Sequence, residues 1–330
     1  MDGNVLHSWQ SPIPDLSIAG LSKPLSNGHV LTFLKASLES PNPEAKILVE
    51  MDWDGKIVWR FDPWPDHVLH HDFQRLHNGN TLILSRILRA VPTIAPGEIW
   101  DDVISEVDPG GRIVWRWSTV EHYEELPLSA DSKRLIYAAK NSDVFHTNSI
   151  QALPTNKLEA FDVRFSPGNI LVSQRHTSIV FLIEKRTGKI VWMFHSSIGQ
   201  HHVSMIPDEL PGAGNILLFD NGWRGGYPPK YRYWSRVIEI DPIGQVIVWA
   251  YSGDKSKRTL RSFFSPYLSG AQRLQNGNTL ISEGEWGRSF EVAQDGEIVW
   301  EYITGLGMKI DRTYRVDNDW PTKAIGSFPW

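Results

Sequence analysis

Apolar residues in this chain fall into short runs punctuated by Gly, Asn and Asp, and one run recurs as the phrase Gly-x-Ile-Val-Trp-x-aromatic. It stands at residues 55–61, 111–117, 188–194 and 296–302. The copy at 244–251 has one extra residue, and the copy at 3–9 is degenerate, with His7 in the Trp slot. The closing aromatics Trp9, Phe61, Trp117, Phe194, Tyr251 and Tyr302 are 52, 56, 77, 57 and 51 residues apart. A repeat of about 40–50 residues built from short strands is the signature of a β-propeller blade. A second half-motif supports this: Asn78-Gly79-Asn80 and Asn276-Gly277-Asn278 each precede an apolar run. Variants stand at Asn27-Gly28-His29, Pro167-Gly168-Asn169 and Ala213-Gly214-Asn215. Asn-Gly between apolar runs marks a hairpin, because both turn residues must accept positive φ. A blade thus reads as inner strand, Asn-Gly turn, second strand, third strand ending in an acid (Glu50, Glu106, Glu184, Glu239), then the Trp strand. The Trp residues are read as packing between adjacent sheets, since large aromatics dominate core burial.

The pattern predicts an all-β fold, one β-propeller domain over residues 1–330. Six blades are favoured, the last shared by the N-terminal Trp strand and the segment after Tyr302, so that both chain ends close the ring and remove exposed edges. Five blades plus an extra edge strand is the alternative. Eleven per cent aromatics and 15 Trp fit the blade pattern. A net charge of −5 offers no basic footprint for nucleic acid. No apolar run approaches the ~20 residues that span a membrane. The absence of cysteine excludes disulfides and thiol catalysis. No signal peptide is read at the N-terminus. The expectation is a soluble protein, cytoplasmic, or periplasmic if a leader was removed.

Setting the repeats in register locates the chemistry. Five residues before Leu76, Leu153, Ile206 and Leu274 lie His71, Asn148, His201 and Ser269. Strand periodicity places His146 on the face of Asn148. The expectation is a ring of His71, His146, Asn148 and His201 at one mouth of the funnel. A position that repeats structurally but changes residue type fits a site better than a structural role. His70 and His202 are the neighbours competing to face the funnel. His29 and His77 read as turn residues, and His122 and His195 as surface or wall.

These residues resemble the bacterial PAPS-independent arylsulfotransferases. The resemblance rests on His70-His71-Asp72 before an Asn-Gly turn, then Phe145-His146-Thr147-Asn148-Ser149-Ile150, Ser173-Gln174-Arg175-His176, Gln200-His201, and Phe219-Asp220-Asn221-Gly222, in that order. It implies a six-bladed propeller that moves a sulfuryl group from a phenolic sulfate ester to a phenol through a sulfated histidine. By position, the nucleophile is His201, and His71, His146, Asn148 and Arg175 hold the sulfuryl oxygens. The stretch from Lys157 to Arg164 looks longer than in the family, which makes Arg164 a fallback for Arg175.

The chemistry is coherent in its own right. A neutral imidazole splits one difficult transfer into two easier ones. Arg175 offers a planar fork for sulfate oxygens. A protonated His146 or His71 would neutralise the leaving phenolate, with Asn148 as an oriented donor. Tyr123, Trp223 and Tyr267 are candidates to stack on the aryl group, and Ser269 completes the aligned set. No cofactor is expected for a small aromatic or anionic substrate. Two other classes remain open. One is a lyase or hydrolase with a divalent metal on His71, His146 and His201 and an open position for water. The other is a non-catalytic binding propeller.

Overall fold

The computed structural model describes residues 3–36, 46–305, 307–317 and 320. The Trp phrase becomes the outermost strand of five four-stranded antiparallel sheets, each ordered as the chain runs. The first holds β1 (Leu16–Pro24), β2 (Val30–Ala36), β3 (Lys46–Met51) and β4 (Ile57–Phe61). The second holds β5 (Val68–Arg75), β6 (Thr81–Ala90), β7 (Glu98–Val107) and β8 (Ile113–Ser118). The third holds β9 (Thr147–Ala152), β10 (Ile170–Gln174), β11 (Ile179–Ile183) and β12 (Ile190–Phe194). The fourth holds β13 (His201–Met205), β14 (Ile216–Asp220), β15 (Arg236–Asp241) and β16 (Val246–Tyr251). The fifth holds β17 (Gly270–Arg273), β18 (Thr279–Glu283), β19 (Arg288–Val292) and β20 (Ile298–Ile303). Inner strands of successive sheets touch from β1 through β5, β9 and β13 to β17, the arrangement of a β-propeller.

Strand alternation explains the phrase. In β4 the Val58 side chain is exposed, Trp59 is half-buried and Phe61 is buried. Phe61, Trp117, Phe194 and Tyr251 are all at most 4% exposed. In the first four sheets the indole of the phrase's Trp then ties its sheet to the next. Trp59 Nε1 donates to Pro109 O, Trp115 to Lys185 O, Trp192 to Pro242 O and Trp249 to Gln294 O. These acceptors lie in or beside the turn between the third and fourth strands of the following sheet.

The favoured count of six is corrected to five. Residues 3–9 form no strand, so there is neither a shared sixth sheet nor an extra edge strand there. Trp9 instead packs edge-on against Trp53 and Trp320, and its indole donates to Asp52 O. After β20, residues 307–317 also form no strand. Residues 321–330 of the expected closing segment lie outside the described residues.

The 77-residue gap in the third repeat has a clear origin. Between β8 and β9 the chain inserts a 3-10 turn, Val120–Glu125, and a helix, α1 (Ala130–Ala139). Ser129 caps α1 by accepting from Ser132 N, and Lys140 ends it in the left-handed region at φ 50°. The insertion docks on the loop after β14: Ser132 Oγ donates to Tyr227 O, and Tyr227 Oη donates to Val144 O. None of the described helices is long and apolar enough to cross a membrane.

Candidate active site

Strand pairing fixes the register of the inner strands. Gln74, Gln151, Ser204 and Gln272 lie opposite Leu82, Leu171, Leu217 and Leu280. Three residues upstream stand His71, Asn148, His201 and Ser269, so the alignment read from the sequence is the alignment of the sheets. A bulge interrupts β5 between Leu69 and Phe73, and β13 between His201 and Ser204. Bulges re-aim side chains beside sites. His71 and His146 occupy the left-handed region, φ 52° and 53°, a conformation that non-glycine residues adopt uncommonly.

Imidazoles from β5 and from the loops beside β9 and β10 come together here. The His71 and His146 rings are 4.6 Å apart, and those of His146 and His176 are 4.5 Å apart. His146 Nδ1 lies 2.5 Å from Asp143 Oδ2, and His176 Nδ1 donates to Asp143 O at 2.7 Å. Arg175 Nη1 is 3.2 Å from His176 Nε2, while its Nε is buried without a partner. The Arg175 charge opposes the ionisation of His201. Arg164 is instead held by Asp162 and does not join the cluster. Asn148 Nδ2 donates to Gln200 O, and its buried Oδ1 has no partner.

His201 is held with particular definition. Asn221 Nδ2 donates to Ser265 O and Leu268 O, both of which can only accept. Asn221 Oδ1 must then face His201 Nδ1, at 2.7 Å. An amide oxygen accepts only, so Nδ1 carries the proton and Nε2 keeps its lone pair. Burial, then Arg175, hold the His201 pKa well below the usual imidazole range. Burial, then His146 and His70, do the same to His71. His176 is brought down to about 4 by burial and by His146. Burial alone would raise Asp143, yet the hydrogen bond and charge of His146 hold it below the carboxylate range.

Other candidates are elsewhere. His202 turns to the opposite side of β13 and lines a cavity of about 300 Å³ with Lys23, Asp72, Gln74, Arg273 and Tyr314. Tyr123 is a correction: the 3-10 turn tucks it against Phe145 in the core, 5% exposed, with its ionisation pushed up to about 12 by burial. It presents no face for an aryl group. Ser269 is buried, and its hydroxyl accepts from Gly284 N. Tyr267 Oη accepts from Lys309 Nζ. Trp223 is half-buried and meets Tyr231, Tyr233 and Phe264 edge-on. His29 is a turn residue as read, but it pairs with Glu50.

The metal alternative also changes. Among the described residues, the group whose ligand atoms converge within 4.8 Å is Asp143, His146 and His176, not His71, His146 and His201. That group is already satisfied internally, with His146 on Asp143 and His176 facing Arg175. Reading the sequence missed Asp143, Asp102 and Arg312. Arg312 comes from the segment after β20 and reaches Asp72 Oδ2 and Asn148 O.

The comparisons bear on this geometry. The family model described as Arylsulfotransferase (ASST) matches residues 23–305. A search of curated proteins finds no match. Among solved structures, a protein of unknown function from Bacteroides caccae superposes with a TM-score of 0.56 at 13% identity, over 91% of this chain and 86% of that one. The Dos1 propeller gives 0.45 at 11% identity, over 88% and 63%. A virginiamycin B lyase from Staphylococcus aureus gives 0.45 at 13%, over 88% and 74%.

Proposed function

Because the chain belongs to the arylsulfotransferase family, we propose that it moves a sulfuryl group from a phenolic sulfate ester to a phenol through a sulfated His201. The observation that carries this reading is the Asn221–His201 contact, which leaves Nε2 unprotonated, on a ring whose ionisation the Arg175 charge opposes. A sulfate monoester needs a neutral nucleophile and fixed positive charge around its oxygens. Nε2 attacks sulfur, and the phenolate leaves from the opposite side. Arg175 and the Asp143-paired His146 face the charge that builds on the sulfuryl oxygens. The second half-reaction returns the group to an acceptor phenol. The Trp223, Tyr231, Tyr233 and Phe264 cluster offers aromatic surface for the aryl moieties.

The test is incubation with p-nitrophenyl sulfate, with and without phenol, in metal-free buffer, followed by intact-mass measurement. Phenol-dependent nitrophenolate release, and a sulfuryl adduct absent from His201→Ala, are expected. Turnover that survives in His201→Ala would remove the covalent step. Turnover that requires an added divalent ion would replace it with metal chemistry.

A further inference from the structure

Behind His71 lies a chain of polar groups that the transfer chemistry does not use. His71 Nδ1 and His70 Nδ1 are 2.8 Å apart, so one ring donates to the other. On the far side of its ring, His70 Nε2 stands 3.4 Å from Asp102 Oδ1 and has no hydrogen-bond partner. Asp102 Oδ2 is fixed by the backbone N–H of Thr147 at 2.6 Å, one residue after His146. All three side chains come from the second sheet, His70 and His71 from the bulge of β5 and Asp102 from β7. His70 is 5% and Asp102 1% exposed. A buried carboxyl group thus stands 3.4 Å from the unpartnered nitrogen of a ring whose other nitrogen bonds a second imidazole at the site, which sets three proton-carrying groups in a row.

Resting on the sulfuryl-transfer reading, we propose that Asp102 stores the proton of the reaction and exchanges it with substrate through His70 and His71. As the S–N bond to His201 forms and the S–O bond breaks, the leaving phenolate takes the Nε2 proton of His71. His71 Nδ1 then takes the Nδ1 proton of His70, and His70 Nε2 takes the proton of Asp102 Oδ1. Asp102 is left as a carboxylate, and both rings stay neutral with their tautomers reversed. When the acceptor phenol attacks the sulfated His201, its proton returns along the same path, so a full cycle neither gains nor loses one.

The electrostatics favour such a wire over an imidazolium. His71 is faced by His146, His70, His201 and Lys46, and His70 by Arg86, His146, Asp143 and Lys46. Charging either ring would add a buried cation to surroundings in which Lys46, and for His70 also Arg86, already oppose it. Burial brings His70 down to about 3. Asp102 is faced by Asp143 and Asp101 and is raised by burial to about 7, so it can both hold and release a proton near neutrality.

The test compares donors whose phenols differ in acidity. Asp102→Asn keeps the contact to Thr147 N but has no proton to release. Its kcat/KM for phenyl sulfate should fall about 100-fold, while p-nitrophenyl sulfate, whose leaving group needs no acid, changes by less than about threefold. Equal losses for both donors would make Asp102 structural and overturn the wire. A second measurement needs no turnover. In 15N-histidine spectra of the resting protein, the His70 and His71 tautomers should reverse as pH passes through about 7. In Asp102→Asn they should stay fixed, and tautomers fixed in the wild type would overturn the proposal. If the wild type uses neither donor, the sulfuryl-transfer reading falls, and the spectra still decide the wire.

Discussion

His70, His71, His201 and His202 are imidazoles that burial keeps from charging. The sign of the consequence follows from proton binding. Each ring titrates near 6.5 in the unfolded chain but lower in the fold. Below about pH 6.5 the unfolded state therefore binds more protons, and stability falls with pH. For His70, with a folded value of about 3, acidification from about pH 7 to about pH 5 should cost about 2 kcal/mol. Urea melts of wild type and His70→Gln should converge as pH falls over that range. A constant gap would show that the ring is not held neutral. The histidines were legible because they recur at one blade position. Asp102 and Asp143 were not, since neither falls on the repeat register and each is defined by a contact made only after folding.

Four of the five blades close the Asn-Gly turn onto the acid at the end of the third strand and then onto a cation of a neighbouring element; in the third, Asn169 bonds backbone atoms of Arg164 and Lys185 instead. Asn27, Asn80, Asn215 and Asn278 donate to Glu50, Glu106, Glu239 and Glu291. The cations are Arg75, Lys185, Arg273 and Arg315. Burial decides how much each pair matters. The Arg273–Glu239 side chains are 4% and 6% exposed, whereas Arg315 is 35% exposed. Removing Arg273 strands a buried carboxylate, so Arg273→Met should cost about 3 kcal/mol in urea denaturation. Arg315→Met should cost about 1 kcal/mol or less. Similar losses would mean that the desolvated position of Glu239 is not what makes its pair strong. The turn and the acid are visible in the sequence because the hairpin brings them together within a few tens of residues. The cation arrives from another sheet at no fixed separation, 25 residues on for Arg75 and 79 for Lys185, so no periodicity announces it.

The whole ring poses a different problem, because five repeats must meet where the chain begins and ends. Four sheet junctions carry the Trp-to-carbonyl bond, from Trp59, Trp115, Trp192 and Trp249. At the junction of the fifth and first sheets, Trp300 would be the donor by repeat, yet Asp52 O accepts from Trp9. Tyr302 is 40% exposed where its counterparts are buried, so the first sheet does not cover β20 as the other sheets cover their neighbours. The segment after β20 shows a matching substitution. Ala152 N donates to Gln74 Oε1 and Met205 N to Gln151 Oε1, which links successive inner strands; Arg315 N donates to Gln272 Oε1 in the same sense. The sixth Trp phrase was thus read correctly as a motif but wrongly as a strand, because periodicity reports side-chain pattern and not whether a partner strand exists to pair with it. We expect these two segments to bridge the fifth and first sheets. Trp9→Ala, and separately a chain ending at residue 309, should raise amide hydrogen exchange in β1–β4 and β17–β20. The second, third and fourth sheets, which keep their own Trp bonds to one another, should retain protection. Exchange rising evenly over all five sheets would show instead that the ring opens as one unit, and unchanged exchange in the first and fifth would show that neither segment holds the junction.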